Sequence, residues 1–207
     1  MSFIGLAGTH RSGKTTMAKA FAEDYGCDFV TISMTQIMAD MGLEPADIQD
    51  VKTRLKVQHK AVEACDRVFT GRKTAFISDR TPIDVAAYTL GDAVQGFYGT
   101  EHDAEVLKLI DDCIDITNMA FAGVLYVPPS PKIKYVMEAG KPRPDDAYQA
   151  HIDVLVAGLM NKPELTVETW FLRKECHEPE KRAKVLEEFY GDLIDDDISV
   201  SQVVSLH

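Results

Sequence analysis

An eight-residue stretch near the amino terminus carries the residue types that bind a phosphate chain. Residues 8–15 read GTHRSGKT and match the pattern G-x-x-x-x-G-K-[ST] at every fixed position. Glycines let the backbone curl so that several amide N–H groups face one phosphate chain, and a following helix adds the positive end of its dipole. In this pattern Lys14 reaches the β- and γ-phosphates and the Thr15 hydroxyl binds Mg²⁺. The residues expected to hold ATP and Mg²⁺ are Gly8, Thr9, His10, Arg11, Ser12, Gly13, Lys14, Thr15 and Thr16.

Arg11 occupies a variable position of this loop. From there a guanidinium reaches a phosphoryl group in transfer and stabilises its equatorial oxygens, as an arginine finger does. The alternative is a surface arginine that points to water. His10 beside it is predicted to fill the loop rather than to carry a proton.

An acid and an arginine, Asp79 and Arg80, follow the apolar segment at residues 74–78. Residues at the carboxyl ends of parallel strands lie at the sheet edge where ligands collect. There Asp79 would hold Mg²⁺ through water, accept the proton of an attacking hydroxyl or orient a substrate phosphate. Arg80 would grip a substrate anion through two parallel N–H groups. The alternative is a helix cap, in which Asp79 or Thr81 precedes a helix that begins near Pro82.

Positive charge is also concentrated in a later loop of this acidic chain. The basic residues between Pro131 and Pro144 are Lys132, Lys134, Lys141 and Arg143. Such a segment suits a lid at about residues 130–146 that closes over a triphosphate and excludes water. Within it Arg143 is the first choice for a catalytic charge on the moving group. The alternative is a solvated loop whose basic residues offset acidic neighbours.

A predicted long helix at residues 50–69 has one polar residue in its apolar row. The row consists of Val51, Leu55, Gln58, Val62, Cys65 and Phe69. A buried amide needs partners, and the donor and acceptor of Gln58 match the edge of a nucleobase. Arg54, one turn earlier, is placed to reach a substrate phosphate. The alternatives are that backbone carbonyls satisfy Gln58 and that Arg54 lies on a solvated face.

Short apolar segments alternate with helical ones along the chain and must position these residues. Strands are predicted at residues 3–7, 29–32, 74–78, 123–127 and 165–171. Helices are predicted at residues 13–26, 50–69, 82–90, 103–120, 147–160 and 178–190. This alternation indicates an α/β fold with a parallel sheet that is covered on both faces. The tail from Asp192 to His207 is predicted either to add an edge strand or to fray.

Composition limits what the chain can bind. A chain of 207 residues, 45% of them apolar, predicts one domain over residues 1–207 with a real core. No apolar run is long enough to span a bilayer, so we expect no membrane partner. Four widely spaced cysteines predict reduced thiols in a cytoplasmic protein. A formal net charge of −11 argues against a surface that coats duplex DNA, but it leaves room for a small basic pocket.

The motif segments resemble those of known kinases. The loop is similar to that of eukaryotic-type thymidylate kinases, which place a catalytic arginine where this chain has Arg11. Asp79 and Arg80 resemble the Asp-Arg pair of those enzymes and the Glu-Arg pair of deoxynucleoside kinases. Residues 79–90 (DRTPIDVAAYTL) look still closer to a group of phage and bacterial P-loop kinases often described as AAA-type ATPases. The chain departs from thymidylate kinases at Thr81, where they place an aromatic residue.

These resemblances imply a three-layer P-loop NTPase fold with five parallel strands in the order 2-3-1-4-5 and a lid after the fourth strand. They imply transfer of the γ-phosphoryl group of ATP to a small acceptor, a (deoxy)nucleoside monophosphate in the first place. In the nucleotide kinases the arginine at the position of Arg80 contacts the substrate phosphate. In deoxynucleoside kinases, which the long helix resembles loosely, a glutamine like Gln58 reads the base.

Two other functions stay open at this point. One is a kinase that acts on a hydroxymethylated base in phage-type DNA, which would make nucleic acid a partner. The other is an ATPase or nucleotide-binding regulatory module with no acceptor. On every reading the expected location is the cytoplasm, that of the host if the chain is phage-encoded. A homodimer is compatible with the sequence.

Overall fold

Five short parallel strands form the sheet of the computed structural model, which describes residues 3–44, 50–94, 96, 98–130 and 146–204. The strands are β1 (Phe3–Ala7), β2 (Asp28–Val30), β3 (Phe76–Ser78), β4 (Gly123–Tyr126) and β5 (Glu168–Phe171). They pair in the order β2-β3-β1-β4-β5, and every pairing is parallel. The predicted fold class and strand order are confirmed.

Within the described residues, seven α-helices connect and follow these strands. They are α1 (Lys14–Tyr25), α2 (Met34–Asp40), α3 (Val51–Phe69), α4 (Pro82–Val94), α5 (Asp103–Ala120), α6 (Asp146–Met160) and α7 (Pro179–Val204). The chain also forms a short 3₁₀ helix at Thr100–His102. Capping explains several of the bounds: Asp50 accepts a hydrogen bond from the Thr53 amide at the start of α3. Gly26, with φ of 64°, ends α1.

Two elements differ from the sequence prediction. The short helix α2 was not predicted, and its methionines, Met34 and Met38, are only partly buried. The tail from Asp192 was predicted to form an edge strand or to fray, but as far as Val204 it continues α7. Its apolar residues are spaced for a helix as well as for a strand, so periodicity alone did not separate the two.

Helices cover both faces of the sheet, which makes three layers. On one face Phe21 of α1 and Phe189 of α7 pack on Leu6 and Leu125. On the other face α3, α4, α5 and α6 pack around a group of phenylalanine rings. The rings are Phe69, Phe76 and Phe121, with centroids 5.0–5.8 Å apart.

The structure also describes the cysteines and the apolar character of the helices. All four cysteines are free thiols. Within the described ranges, no helix combines the length and the apolar character needed to cross a membrane. The carboxyl ends of β1, β3 and β4 lie side by side, so the segments that follow them share one edge of the sheet.

Candidate active site

The loop at residues 8–13 connects β1 to α1 and requires glycine at both of its ends. Gly8 has φ of 152°, and a Cβ atom there would lie 2.3 Å from the carbonyl oxygen of Val127. Gly13 adopts φ of 94° and precedes the first residue of α1. No side chain of the described residues caps the first turn of this helix. Its amide groups are therefore available to an anion.

Lys14 bridges the loop to which it belongs. Its Nζ donates hydrogen bonds to the carbonyl oxygens of Gly8 and Thr9 at 2.6 and 2.7 Å, and the side chain is buried. Burial lowers the pKa of Lys14, while the charge of Asp84 opposes this shift. The ammonium group is thus fixed beside the loop amides in an environment that lacks enough negative charge, as a phosphate-binding lysine needs.

Arg11 has a strained backbone. Its φ is 62°, and among the described residues it is the one non-glycine with a positive φ. The left-handed conformation costs an L-amino acid roughly 1–2 kcal/mol. Strain of this kind is concentrated at functional sites, where the surrounding structure enforces it.

His10 is held by a tyrosine of α4. The Tyr88 hydroxyl lies 2.8 Å from His10 Nδ1 and accepts the His10 amide N–H at 3.2 Å. Burial lowers the pKa of His10, and the charges of Arg11, Lys14 and Arg80 lower it further. This environment favours a neutral ring.

Thr15 and Asp79 meet at the shared edge of the sheet. The Thr15 hydroxyl donates a hydrogen bond to Asp79 Oδ2. The other carboxylate oxygen, Oδ1, is buried and has no hydrogen-bond partner within the part of the chain that the structure describes. A hydroxyl and a carboxylate with a spare oxygen suit Mg²⁺, which takes few protein ligands and keeps waters or substrate phosphates. The described residues hold no group of three or more metal-ligating side chains.

Arg80 directs its charge toward the loop and has no carboxylate partner among the described residues. Its charge lowers the pKa of both Lys14 and His10, so the guanidinium lies near the phosphate loop. The backbone around Arg80 is fixed by Ser78, whose hydroxyl donates to the Arg80 carbonyl at 2.6 Å. The sequence pair Asp79-Arg80 thus delivers an acid and a cation to the same edge.

Asp84 joins α4 to the loop, and the sequence interpretation missed its role. Its Oδ1 accepts the Gly8 amide N–H at 2.8 Å. Its Oδ2 accepts the Thr81 amide N–H at 2.7 Å and the Thr81 hydroxyl at 3.0 Å. The predicted cap near Pro82 exists, but Thr81 is the donor in it and the acid three residues later is the acceptor. The spacing T-x-x-D resembles a capping box, the signal that could have indicated this acid.

Two further residues that contact the loop were also missed. Gln149 of α6 donates through Nε2 to the His10 carbonyl at 2.9 Å. Arg182 of α7 donates through Nη1 to the Ser12 carbonyl at 2.5 Å. They lie 139 and 170 positions along the chain from these partners, so no local sequence pattern could indicate them.

The predicted acceptor residues on α3 lie in two environments. Arg54 forms an ion pair with the buried Asp92 of α4 at 2.8 Å, so the alternative of a solvated face is wrong. Gln58 is buried, and no described backbone carbonyl accepts a hydrogen bond from it. Further along this row, burial raises the pKa of Cys65 to about 12, with Asp84 and Arg80 acting on it in opposite directions. Cys65 therefore lies near two charges, that of Arg80 after β3 and that of Asp84 in α4.

The predicted lid cannot be compared with the structure. Lys132, Lys134, Lys141 and Arg143 lie outside the described residues. Their roles stay predictions.

Comparison with known proteins agrees with the observed fold. The sequence model of the ATPase family associated with various cellular activities (AAA) matches residues 4–69, about a third of the chain. This segment contains β1, the loop and the helices through α3. No curated protein matches the sequence.

Several solved structures share the fold. A deoxyadenosine kinase from M. mycoides, with the products dCMP and a flexible dCDP bound, matches 92% of this chain and 98% of its own with a TM-score of 0.69 and 14% identity. A thymidylate kinase from Candida albicans matches 92% and 91%, with a TM-score of 0.60 and 12% identity. The YorR protein from Bacillus subtilis, in complex with phosphorylated GDP, matches 94% and 98%, with a TM-score of 0.57 and 15% identity.

These matches extend over nearly the whole chain. The protein therefore has the P-loop α/β fold that nucleoside and nucleotide kinases share. Within that fold, the complete G-x-x-x-x-G-K-[ST] loop stands between β1 and α1.

Proposed function

We propose that this protein is an ATP- and Mg²⁺-dependent kinase that transfers the γ-phosphoryl group to a small acceptor, a (deoxy)nucleoside monophosphate in the first place. One observation carries the proposal. Beside a complete phosphate loop, the end of β3 presents both an acid with a spare buried oxygen and an arginine without a carboxylate partner among the described residues. The arginine supplies a site for a second anion beside the bound ATP, which a kinase needs for a phosphorylated acceptor.

The donor half of the site would be built from the loop and its neighbours. The loop amides and Lys14 bind the β- and γ-phosphates, and Thr15 with Asp79 holds the Mg²⁺ ion. When bound, this cation would neutralise negative charge that develops during transfer. We assign Arg11 to the γ-phosphoryl group as it moves, together with Arg143 of the lid segment.

The acceptor half favours a monophosphate over a free nucleoside. A phosphate monoester is largely a dianion at pH 7, so its oxygen attacks the γ-phosphorus without loss of a proton. The new P–O bond forms as the bond to the β–γ bridging oxygen of ATP breaks, and ADP leaves. Asp79, which accepts a hydrogen bond from Thr15, then needs to bind only the metal and not to accept a proton from the acceptor. Arg80 holds the acceptor phosphate in line.

The buried amide on α3 would read the acceptor base. Gln58 offers one donor group and one acceptor atom, and no described residue consumes either. Arg54 is engaged by Asp92, so we assign it to shaping this end of the site through that ion pair.

The proposal is tested by measuring ADP and phosphorylated product with ATP–Mg²⁺ and a panel of acceptors. The panel contains nucleosides, nucleoside monophosphates and DNA with hydroxymethylated bases. We expect product with at least one monophosphate and faster ADP formation in its presence. Product from modified DNA alone, or ADP formation that no acceptor accelerates, would overturn the proposal in favour of one of the two other functions.

Two variants separate the halves of the site. Lys14→Ala is expected to abolish use of ATP. Arg80→Ala is expected to raise the KM for the acceptor while leaving ATP binding unchanged, because it removes only the second anion site. Arg67→Ala, at an exposed position of α3, is the matched control. Equal loss of ATP binding in the Lys14 and Arg80 variants would contradict this division.

A further inference from the structure

A buried arginine supports the phosphate loop from outside. Arg182 of α7 is 5% exposed, and its guanidinium donates to three backbone carbonyls. The acceptors are Ser12 O at 2.5 Å, Cys176 O at 2.8 Å and Pro128 O at 3.4 Å. No carboxylate pairs with it among the residues that the structure describes. A charge buried without a counter-charge is costly, so its position calls for a reason.

A glutamine supports the same loop from the other helical layer. Gln149 of α6 donates to the His10 carbonyl at 2.9 Å and to the Thr9 hydroxyl at 3.4 Å. The loop is therefore gripped at two carbonyls, His10 O and Ser12 O, by side chains from opposite faces of the sheet.

Because the peptide bond is planar, a hydrogen bond that fixes a carbonyl group also fixes the direction of the N–H group of the next residue. The described chain contains no cis peptide bond, and in a trans peptide the C=O and the following N–H point in opposite directions. Holding Ser12 O toward Arg182 therefore aims the Gly13 N–H away from α7. Holding His10 O toward Gln149 aims the Arg11 N–H away from α6. Loop amides that converge in this way contribute to the concave nest that binds a phosphate chain.

We propose that Arg182 and Gln149 are positioning residues, which lock the Ser12 and His10 carbonyls outward so that the Gly13 and Arg11 amides face the phosphates of a bound nucleotide. This inference rests on the nucleotide-binding part of the proposed function and not on the identity of the acceptor.

This positioning role explains why the charge of Arg182 is buried without a carboxylate partner among the described residues. Its three carbonyl partners give each guanidinium nitrogen one hydrogen bond but do not neutralise the charge, and the bound phosphates supply the missing negative charge. Burial lowers the pKa of Arg182, in line with a site that lacks a counter-charge. Two variants separate the contribution of the positive charge from that of the three hydrogen bonds. Arg182→Lys keeps the charge but cannot reach all three carbonyls, whereas Arg182→Met loses both the charge and the hydrogen bonds.

The test is the binding of ADP–Mg²⁺ to the purified full-length variants, measured by titration calorimetry. We expect Arg182→Lys and Gln149→Leu each to weaken ADP about tenfold, and Arg182→Met to weaken it more, because misaimed amides lose charge-assisted hydrogen bonds. Arg173→Met and Gln36→Leu, at exposed positions, are the matched controls. They are expected to bind ADP as the parent does. If Arg182→Met does not fold, the other two variants decide.

A spectroscopic readout distinguishes positioning from a merely structural role. In ¹H–¹⁵N spectra of the ADP complex, the Arg182 variants are expected to move the Gly13 amide resonance. Gln149→Leu is expected to move that of Arg11. Parent-like affinity and unchanged resonances in Arg182→Lys and Gln149→Leu would overturn the inference. So would a lowered melting temperature of the free protein with no change in ADP affinity.

The results that would contradict the proposed kinase function differ from those that would contradict the positioning role. A parent protein that binds ADP but phosphorylates no acceptor leaves the positioning role intact and removes only the kinase assignment. A parent that binds no nucleotide contradicts both.

Discussion

At the scale of single residues, the strained backbone of Arg11 links folding to the catalytic role that we propose for this residue. The residue adopts φ of 62° at a position where glycine would fit without strain. Keeping an arginine here costs stability that a simple turn would not require. The strain is accounted for if the guanidinium acts on the transferring phosphoryl group.

Replacement of Arg11 by glycine should therefore separate stability from activity. Relief of the left-handed strain returns about 1–2 kcal/mol, and the larger unfolded-state entropy of glycine removes about 0.4–1 kcal/mol of it. We expect Arg11→Gly to be slightly more stable than the parent in urea denaturation. Its kcat should fall about 10³-fold, in the lower range for loss of an arginine finger.

Arg11→Ala serves as the control for this experiment. It loses the guanidinium but keeps the strained φ, so we expect the same fall in kcat without the gain in stability. A glycine variant that retains the parent's kcat would show that Arg11 is a surface residue.

His10 makes stability depend on pH. Burial and the neighbouring positive charges lower its pKa in the folded protein below the ordinary 6.5. At acidic pH the unfolded chain therefore binds a proton that the folded chain resists, and stability falls as the pH drops below about 6.5. We expect the loss in unfolding free energy between pH 7.5 and pH 5.5 to be smaller in His10→Gln than in the parent. Equal losses would mean that His10 is not protonated differently in the two states.

At the scale of elements, α4 fixes the phosphate loop through one carboxylate. Asp84 accepts hydrogen bonds from Gly8 at the start of the loop and from Thr81 at the start of its own helix. A single buried side chain thus sets the distance between the loop and the segment that carries Asp79 and Arg80.

Asp84→Asn is expected to destabilise the fold by about 1–3 kcal/mol, since the asparagine amide nitrogen would oppose a donor N–H and leave it unsatisfied. The measurement is the midpoint of urea unfolding. Asp66→Asn, at an exposed position of α3, provides the comparison and should change little. If both variants unfold at the parent's midpoint, Asp84 does not hold the loop.

The sequence reveals some of these elements and conceals others for a physical reason. The phosphate loop and the Asp79-Arg80 pair were predictable because each is local, and their meeting followed from the rule that parallel strands end at one edge. Asp84, Gln149 and Arg182 act on residues 76 to 170 positions away. Such contacts depend on how whole helices pack, which periodicity does not specify. The helix α2 was missed because seven residues give too short a periodic signal.

At the scale of the whole molecule, the net charge of −11 and the basic site belong together. Exposed acids line α5, where Asp103, Glu105 and Asp111 face solvent. Positive charge instead gathers where β1 and β3 end, at Arg11, Lys14 and Arg80. An acidic exterior around a small basic centre suits a partner with a few phosphates better than a long polyanion.

The central claim is that a phosphoryl group moves from ATP to a small acceptor on this protein. The most direct measurement supplies ATP with ¹⁸O in its γ-phosphoryl oxygens, with Mg²⁺ and nucleoside monophosphates, and determines product masses. The account predicts a nucleoside diphosphate that carries the label, its formation lost on omission of Mg²⁺ or in Lys14→Ala. Label found only in inorganic phosphate, with every acceptor unchanged, would contradict it.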